Sequence, residues 1–302
     1  MLQMLLILAA TARGRGPLAR APRRVGRRAS PRRRFRDALL LAALSASGAL
    51  LRPAALRAEP VAVRFAEGVV HGYLTLRTLD GKRLADGELS QVARGDRVTS
   101  RLVFHFRDGS IQDEKVVYSQ RGSLRLLSDH LVQRGPTFPL PLELVIDGRS
   151  GIVTVRYTED GKEKFASERL DLPPDVANGL ILTLLKNVPR KTQQLTVSMV
   201  AATPKPRLVK LAIAPAGEES FSIGAATRQA TRYVLKVEIG GVAGVVAPLV
   251  GKQPPDIHVW IQGGTAPGFL KMQGPLYSGG PIWVIQLASP VWPRVPAAAE
   301  KR

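Results

Sequence analysis

The sequence predicts an all-β protein built on an antiparallel, strongly curved sheet, either barrel-like or folded into two packed sheets, with one short helix. Short segments rich in Val, Leu, Phe, Thr and Tyr alternate with turn-forming residues from about Val61 onward. A helical apolar pattern occurs once, which excludes a parallel sheet, since parallel strands need repeated crossover helices. No repeat of fixed period occurs, which disfavours a propeller or a solenoid.

The chain has 302 residues, of which 45% are hydrophobic, enough for one large β domain with a buried core. We divide it into a disordered Arg-rich leader with a signal peptide over 1–58, a single antiparallel β domain over 59–293 and a disordered tail over 294–302. Cysteine is absent. This excludes disulfides, thiolate metal ligands, a cysteine nucleophile and a lipoprotein anchor.

The formal net charge of +20 is unevenly distributed along the chain. Residues 1–58 contain thirteen Arg and one acidic residue, Asp37, and therefore account for +12 of it. The remaining +8 is spread over residues 59–302. This charge density is too low for a nucleic-acid-binding surface, so we expect no nucleic-acid partner.

Residues 38–51, ALLLAALSASGALL, form an apolar segment directly after the arginines. The segment is too short to span a bilayer core of about 30 Å, and its basic flank and the small residue Ala58 are typical of a signal peptide. We expect cleavage between Ala58 and Glu59, export to the periplasm or the medium, and no transmembrane span in the mature chain. The general secretory route fits, and RRRF at 32–35 leaves the twin-arginine route open.

A second apolar run, MLQMLLILAA at residues 1–10, has no basic residue before it. We hypothesise that translation begins inside the leader, for instance at Val25, because this start gives a signal peptide of conventional size over about 25–58. A mitochondrial-type presequence and a basic nucleic-acid arm are competing interpretations. Neither of them explains the apolar segment at 38–51.

The first half of the domain is predicted to be a series of hairpins, because Gly-containing turns separate its apolar segments at short intervals. In RLVFHFR, Leu102, Phe104 and Phe106 alternate with mostly polar residues, which indicates one dry and one mostly wet face. The predicted strands are VVHGYLTLRT, GELSQVAR, VTSRLVFHF, KVVYSQ, LRLLSDHLV, LELVI and IVTVRYT.

The strand pattern is interrupted after Leu172. Two prolines and an acid precede apolar residues that recur at helical spacing from Val176 to Leu185. We predict a helix over about 174–187 that plugs or covers an open edge of the sheet. The strands predicted after it are QLTVSMVAA, RLVKLAIA, ESFSIGA, ATRYVLKVEIG, PDIHVWIQG, GFLKMQGPL and PIWVIQLAS, with an apolar loop from Gly240 onward. This helix and an aromatic content of 5% disfavour an outer-membrane barrel.

Few residues form patterns that carry chemistry. Gly244 lies too far ahead of Gly251-Lys252 for a phosphate-binding loop, and the four histidines show no metal-ligand spacing, so we predict no cofactor and no metal. His105 and Glu114 flank a short turn, and opposed strands bring them near each other. They are the candidate acid/base pair for catalysis, and a solvated cross-strand pair is the alternative.

Aromatic residues concentrate in the C-terminal quarter of the chain. Trp260, Phe269, Tyr277 and Trp283 are candidates for lining the mouth of an apolar cavity that binds a lipid or another apolar ligand. The alternative is that they fill the core where the sheet closes.

The stretch EIGGVAGVVAPLVGKQPPDIHVWIQGGTAPGFLKMQGPLYSGGPIWVIQLASP, residues 238–290, resembles the C-terminal part of a bacterial secreted all-β family of unknown function. The resemblance extends to the hairpins between Gly72 and Val155. It implies an envelope location and an antiparallel, barrel-like fold. It implies no reaction and no catalytic residues.

These observations predict an exported, non-enzymatic β protein that binds an apolar or envelope-derived ligand in the concavity of its sheet. A cell-envelope hydrolase using His105 and Glu114 is one alternative. An interaction module that docks a partner strand on an exposed sheet edge is another. The sequence leaves the ligand and the oligomeric state open.

Overall fold

The computed structural model describes five stretches of the domain, residues 60–159, 161–189, 191–223, 226–238 and 254–288. The predictions for the leader, for cleavage between Ala58 and Glu59, for the loop from Gly240 and for the tail lie outside the described residues.

All strands of the described residues belong to one antiparallel sheet of fourteen strands, accompanied by one helix. The strands of the first half are β1 (Val70–Thr78), β2 (Arg83–Arg94), β3 (Arg97–Phe106), β4 (Ile111–Ser119), β5 (Arg125–Arg134), β6 (Leu142–Asp147), β7 (Ile152–Glu159) and β8 (Lys162–Arg169). The helix α1 (Ile181–Asn187) follows, and then β9 (Leu195–Ala201), β10 (Arg207–Ile223), β11 (Ala226–Glu238), β12 (Ile257–Gln262), β13 (Gly268–Gly274) and β14 (Trp283–Leu287).

The sheet consists of two meanders joined by the pairing of the first strand with the last. Strands β1 to β8 follow one another in space, as do β9 to β14, and β14 pairs with β1 through Leu287 and Leu74. Strands β8 and β9 lie at the two edges and do not pair with each other, so the sheet is not closed. The predicted antiparallel all-β fold with one short helix is confirmed.

The core lies on one face of this sheet, which we call the inner face. On β3, Leu102, Phe104 and Phe106 are buried while Arg101 and His105 are exposed, as the alternation in the sequence predicts. Side chains from both meanders and from α1 belong to one hydrophobic cluster. The sheet therefore surrounds a shared core.

The helix is shorter than the sequence predicts, since it covers Ile181–Asn187 and not 174–187. Gly179 has a φ of +65°, outside the range of a right-handed helix, and it ends the irregular segment that precedes α1. A Cβ at this position would overlap with Cγ2 of Val116 on β4. Close packing on the sheet thus sets where the helix begins.

The segment before α1 covers the free edge of β9. The Ala177 N–H donates to the Ser198 carbonyl at 2.9 Å, and the Asn178 side chain bonds both the N–H and the carbonyl of Val200, at 2.8 and 3.0 Å. Asn178 is fully buried. Its amide therefore replaces the bonds that another strand would make with β9.

Two strands differ from the prediction. Strand β8 was not predicted, because its sequence KEKFASER is mostly charged, and it forms through its hairpin with β7. RLVKLAIA and ESFSIGA are one strand, β10, whose pairing shifts register between Pro215 and Glu218. A bulge of this kind interrupts the alternation without ending the strand.

We expect Gly179→Ala to lower the free energy of unfolding by about 3 kcal/mol, because it combines a left-handed backbone with overlap on Val116. Gly95→Ala is the matched control. Gly95 has a φ of +58° and open space around it, so only the backbone cost of about 1 kcal/mol applies. Urea denaturation measures both values. Equal losses in the two variants would contradict the packing argument, and a second substitution, Val116→Ala, should restore part of the loss in Gly179→Ala.

Candidate functional site

A cavity of about 320 Å³ lies between α1 and the inner face of the sheet. Val70 and Leu287 border it and are exposed, so the cavity reaches the surface at the junction of the two meanders. Its walls are mainly aliphatic, which is typical of sites for apolar ligands. The aliphatic side chains include Leu74, Leu89, Leu102, Val116, Ile181 and Met272.

A buried ion pair forms one polar part of the cavity wall. Lys186 of α1 contacts Glu67, which lies in the segment that leads into β1, and their side chains are only 17% and 9% exposed. Gln91 on β2 donates to Glu67 at 3.0 Å, and the backbone N–H of Glu67 donates to Gln120 at 2.7 Å. The two charges neutralise each other, the bond from Gln91 holds the Glu67 carboxylate in place, and the bond to Gln120 holds the Glu67 backbone.

Tyr118 extends this polar group into the core. Its hydroxyl donates to Oε1 of Gln91 at 3.4 Å, and its side chain is 1% exposed. Burial raises the pKa of Tyr118, so the phenol stays neutral and remains a hydrogen-bond donor. Tyr118, Gln91, Glu67 and Lys186 thus form a connected polar network beside an aliphatic cavity.

Two further carboxyl groups lie on the inner face of β4 and β5. Glu114 borders the cavity, and Asp129 is fully buried on the neighbouring strand. Burial, reinforced by the negative charge of Glu114, raises the pKa of Asp129 well above its usual value. Asp129 therefore favours its neutral form.

The predicted acid/base pair does not form. His105 lies opposite Ile111 and points outward, whereas Glu114 lies opposite Leu102 and points inward. The two residues lie on adjacent strands, but their side chains project from opposite faces, so the sheet itself separates them. This corrects the expectation that the turn brings them together.

The other histidines serve no common site. His71 and His130 pair with Glu88 and Glu143 at 2.9 and 2.8 Å on the exposed outer face. No group of three His, Cys, Asp or Glu side chains arranged to hold a metal ion occurs among the described residues.

The four candidate aromatic residues occupy three different places. Phe269 on β13 borders the cavity. Trp260 on β12 is not part of the hydrophobic core cluster: its indole N–H donates to Glu219 at 2.8 Å, and Lys271 Nζ lies 3.8 Å from its ring centroid.

Tyr277 and Trp283 belong to an aromatic cluster that does not line the cavity. Their rings pack against Phe138 and Phe106, with ring centroids 5.4 to 5.9 Å apart. Phe106 ends β3, four residues beyond the cavity residue Leu102. This cluster therefore fills the core beside the cavity, and only Phe269 of the four candidates lies at the cavity wall.

Sequence reasoning missed the polar network. None of its residues belongs to a recognisable motif, and Glu67 and Lys186 are far apart in the chain. Two features of the sequence do indicate it. Lys186 is the one charged residue in the apolar segment VANGLILTLLKNV, and Gln91 is a polar residue at an inward position of an alternating strand.

Comparisons with known proteins give a likeness to a solved structure. No family model and no curated protein matches the chain. A solved structure from Brucella abortus, a β-barrel-like protein of the domain of unknown function DUF1849, is similar at 10% identity and a TM-score of 0.40. The likeness covers 74% of this chain and 98% of that one. Within the described part of this chain, no helix has the length and hydrophobicity needed to cross a membrane.

We expect single substitutions of the buried ion pair, Glu67→Leu or Lys186→Met, each to lower the free energy of unfolding by about 3 kcal/mol, because each leaves a buried charge without its partner. The double variant should lower the free energy of unfolding by clearly less than the sum of the two single losses. Urea denaturation of the four proteins gives the coupling energy. The exposed pair Arg121 and Asp96 is the control, with a coupling of about 0.5 kcal/mol, and equal coupling in both pairs would contradict the burial argument.

We expect Asp129→Asn to stabilise the protein at neutral pH and to have little effect near pH 3. The pKa of Asp129 is raised in the folded state, so this carboxyl group ionises at lower pH in the unfolded chain than in the folded protein. As the pH rises above about 4, ionisation of Asp129 therefore stabilises the unfolded chain, and the free energy of unfolding falls. Asparagine resembles the neutral form and removes this loss. Denaturation at several pH values measures the difference.

Asp147→Asn is the control, because the pKa of Asp147 is shifted in the opposite direction to that of Asp129. Hydrogen bonds from the Arg149 and Ser150 backbone and from the Ser150 hydroxyl lower the pKa of Asp147. Its substitution should therefore destabilise the protein at neutral pH and have a smaller effect as the pH falls. The same pH profile for both variants would contradict the assignment of Asp129.

Proposed function

We propose that this protein binds an apolar or amphipathic, envelope-derived ligand in the cavity between α1 and the inner face of β1 to β4. The observation that carries the proposal is the aliphatic cavity itself, which reaches the surface beside Val70 and Leu287. Water gains little in such a space because it finds few hydrogen-bond partners there. Each ligand methylene group that replaces water in the cavity contributes about 0.8 kcal/mol to the free energy of binding.

The polar network supports a ligand with one polar end. Lys186 supplies N–H donors, while Glu67 and Gln91 supply acceptors, and the charges of Lys186 and Glu67 cancel. A neutral hydroxyl or amide, or a zwitterionic end, suits such a site better than an anion, because the carboxyl group of Glu114 also borders the cavity. The apolar part of the ligand then lies along Leu102, Val116 and Phe269.

The export of the protein is part of this proposal. The apolar segment at 38–51, its basic flank and the small residue Ala58 support a signal peptide, and the absence of cysteine fits a soluble exported protein without a lipid anchor. A binding protein in that location meets envelope lipids and their derivatives directly.

The hydrolase alternative is left without its acid/base pair, because His105 and Glu114 lie on opposite faces of the sheet. The docking alternative is favoured by one specific observation, the exposed edge strand β8. It concerns a different surface and is compatible with a ligand in the cavity.

We expect a stoichiometric apolar adduct when the full chain is expressed in a bacterial host and the purified protein is measured by native mass spectrometry. Organic extraction should release the adduct, and the emptied cavity should bind an anilinonaphthalene dye with a rise in fluorescence. Leu182→Trp, which fills the cavity from α1, should weaken dye binding about tenfold or more.

Leu79→Trp is the matched control, since Leu79 is exposed in the turn after β1. It should bind the dye like the wild type. A wild-type protein with neither adduct nor dye binding would contradict the proposed function, as would equal binding by both variants.

We expect the exported protein to begin at Glu59. Intact-mass measurement of material from the periplasm or the medium checks the cleavage site. Replacing Leu41 by Arg interrupts the apolar segment and should leave uncleaved precursor in the cells. Mature protein that retains residues 38–51 would contradict the assignment of the signal peptide.

A further inference from the structure

The two edges of the sheet differ in how far the described residues cover them. On β9, the segment from Asp175 to Asn178 bonds the backbone of Ser198 and Val200. On β8, every residue except Ala166 is exposed, and no described strand pairs with its outer edge. An uncovered edge strand is a template for another strand, so β8 is the surface at which the sheet can be extended.

The pairing with β7 fixes which backbone groups of β8 point outward. The Leu170 N–H donates to the Gly151 carbonyl at 2.8 Å, and the antiparallel ladder continues from that pair without a shift of register. In such a ladder, alternate residues bond the neighbour and the residues between them point away. The outward N–H and carbonyl groups are therefore those of Glu163, Phe165, Ser167 and Arg169.

We propose that β8 pairs in antiparallel fashion with β8 of a second copy of this chain, about a two-fold axis at Ala166. This register uses the outward groups of all four residues, since Glu163 meets Arg169 and Phe165 meets Ser167. It also places Lys164 opposite Glu168. The cross-strand charge pairs thus have opposite signs throughout, which stabilises the pairing.

Neighbouring registers of the same backbone pattern fit less well. An axis at Lys164 places this lysine opposite its own copy, a like-charge pair that destabilises the ladder. A two-fold axis at Phe165 leaves Arg169 without a partner on the other strand. An axis at Ser167 leaves Glu163 without one. The charge pattern of KEKFASER therefore selects one register for pairing with a second copy.

The proposed pairing also accounts for Phe165, which is 64% exposed on a mostly charged strand. In the dimer, Phe165 stands beside the small Ser167 of the second copy, so the edge of its ring is covered. The contact involves little more than one strand of each copy. Its area is therefore at the low end for protein interfaces, and the dimer must dissociate on dilution.

Sedimentation velocity of the protein, expressed from the full chain, over a range of concentrations tests the proposal. We expect reversible dimers in the micromolar range. Ser167→Pro removes an outward N–H that the chain itself does not use, and proline is tolerated at such positions of edge strands. It should weaken dimerisation about tenfold or more and leave the thermal melt unchanged, while Ser167→Ala, which keeps the N–H, should dimerise like the wild type.

Charge exchange tests the register. Arg169→Glu and Glu163→Arg each place two like-charge pairs in the homodimer, and each variant should dimerise about tenfold more weakly than the wild type. An equimolar mixture of the two variants restores opposite charges at both positions, and heterodimers should form.

A wild-type protein that stays monomeric up to about 1 mM would overturn the proposal, as would a dimer that Ser167→Pro leaves intact. Heterodimers that form no better than either homodimer would overturn the register at Ala166. None of these results depends on a ligand in the cavity, so they are separate from the test of the proposed function.

Discussion

The structure depends on the pairing of β1 with β14, the first and the last strands of the sheet. Each meander alone is an open antiparallel sheet with one apolar face, and an open sheet needs a second layer to cover that face. The register that joins Leu74 to Leu287 brings the two inner faces around one core. Because β8 and β9 stay apart, this curved sheet keeps two edges. The remaining elements fill the space that the sheet surrounds and cover one of its two edges.

The segment from Asp175 to Asn187 covers the edge of β9 and also fills part of the space inside the sheet. Asn178 replaces a neighbouring strand along β9, and Gly179 allows the chain to pass close to Val116 and turn into α1. At the other end of the helix, Asn187 Oδ1 accepts the backbone N–H groups of Arg64 and Phe65, at 2.7 and 2.8 Å. A seven-residue helix has little stability of its own. Its position is fixed by these side-chain contacts and by burial of its aliphatic residues, and the cavity is the space left between it and the sheet.

The buried polar groups give the inner face its chemistry. An aliphatic core excludes charges unless they are paired, so Glu67 and Lys186 neutralise each other, while Gln91 donates to Glu67 and Tyr118 donates to Gln91. The outer face follows the opposite rule, with cross-strand ion pairs such as that of Arg101 with Asp113 exposed to water. The sheet thus separates a solvated charged surface from an interior with polar groups at a few defined places. The proposed binding of an amphipathic ligand rests on this contrast.

The sequence by itself determined most of the strands, their hairpins and the direction of most side chains, since alternation and turn glycines are local properties, as Phe104 and Gly95 illustrate. It also determined that one helix interrupts the strands. Only the tertiary structure decided that α1 starts after Gly179, that the charged segment β8 is a strand, and that Glu67 meets Lys186. These features arise from contacts between residues distant in the chain. Periodicity shows which face a residue occupies, whereas the curvature of the sheet decides what it meets there.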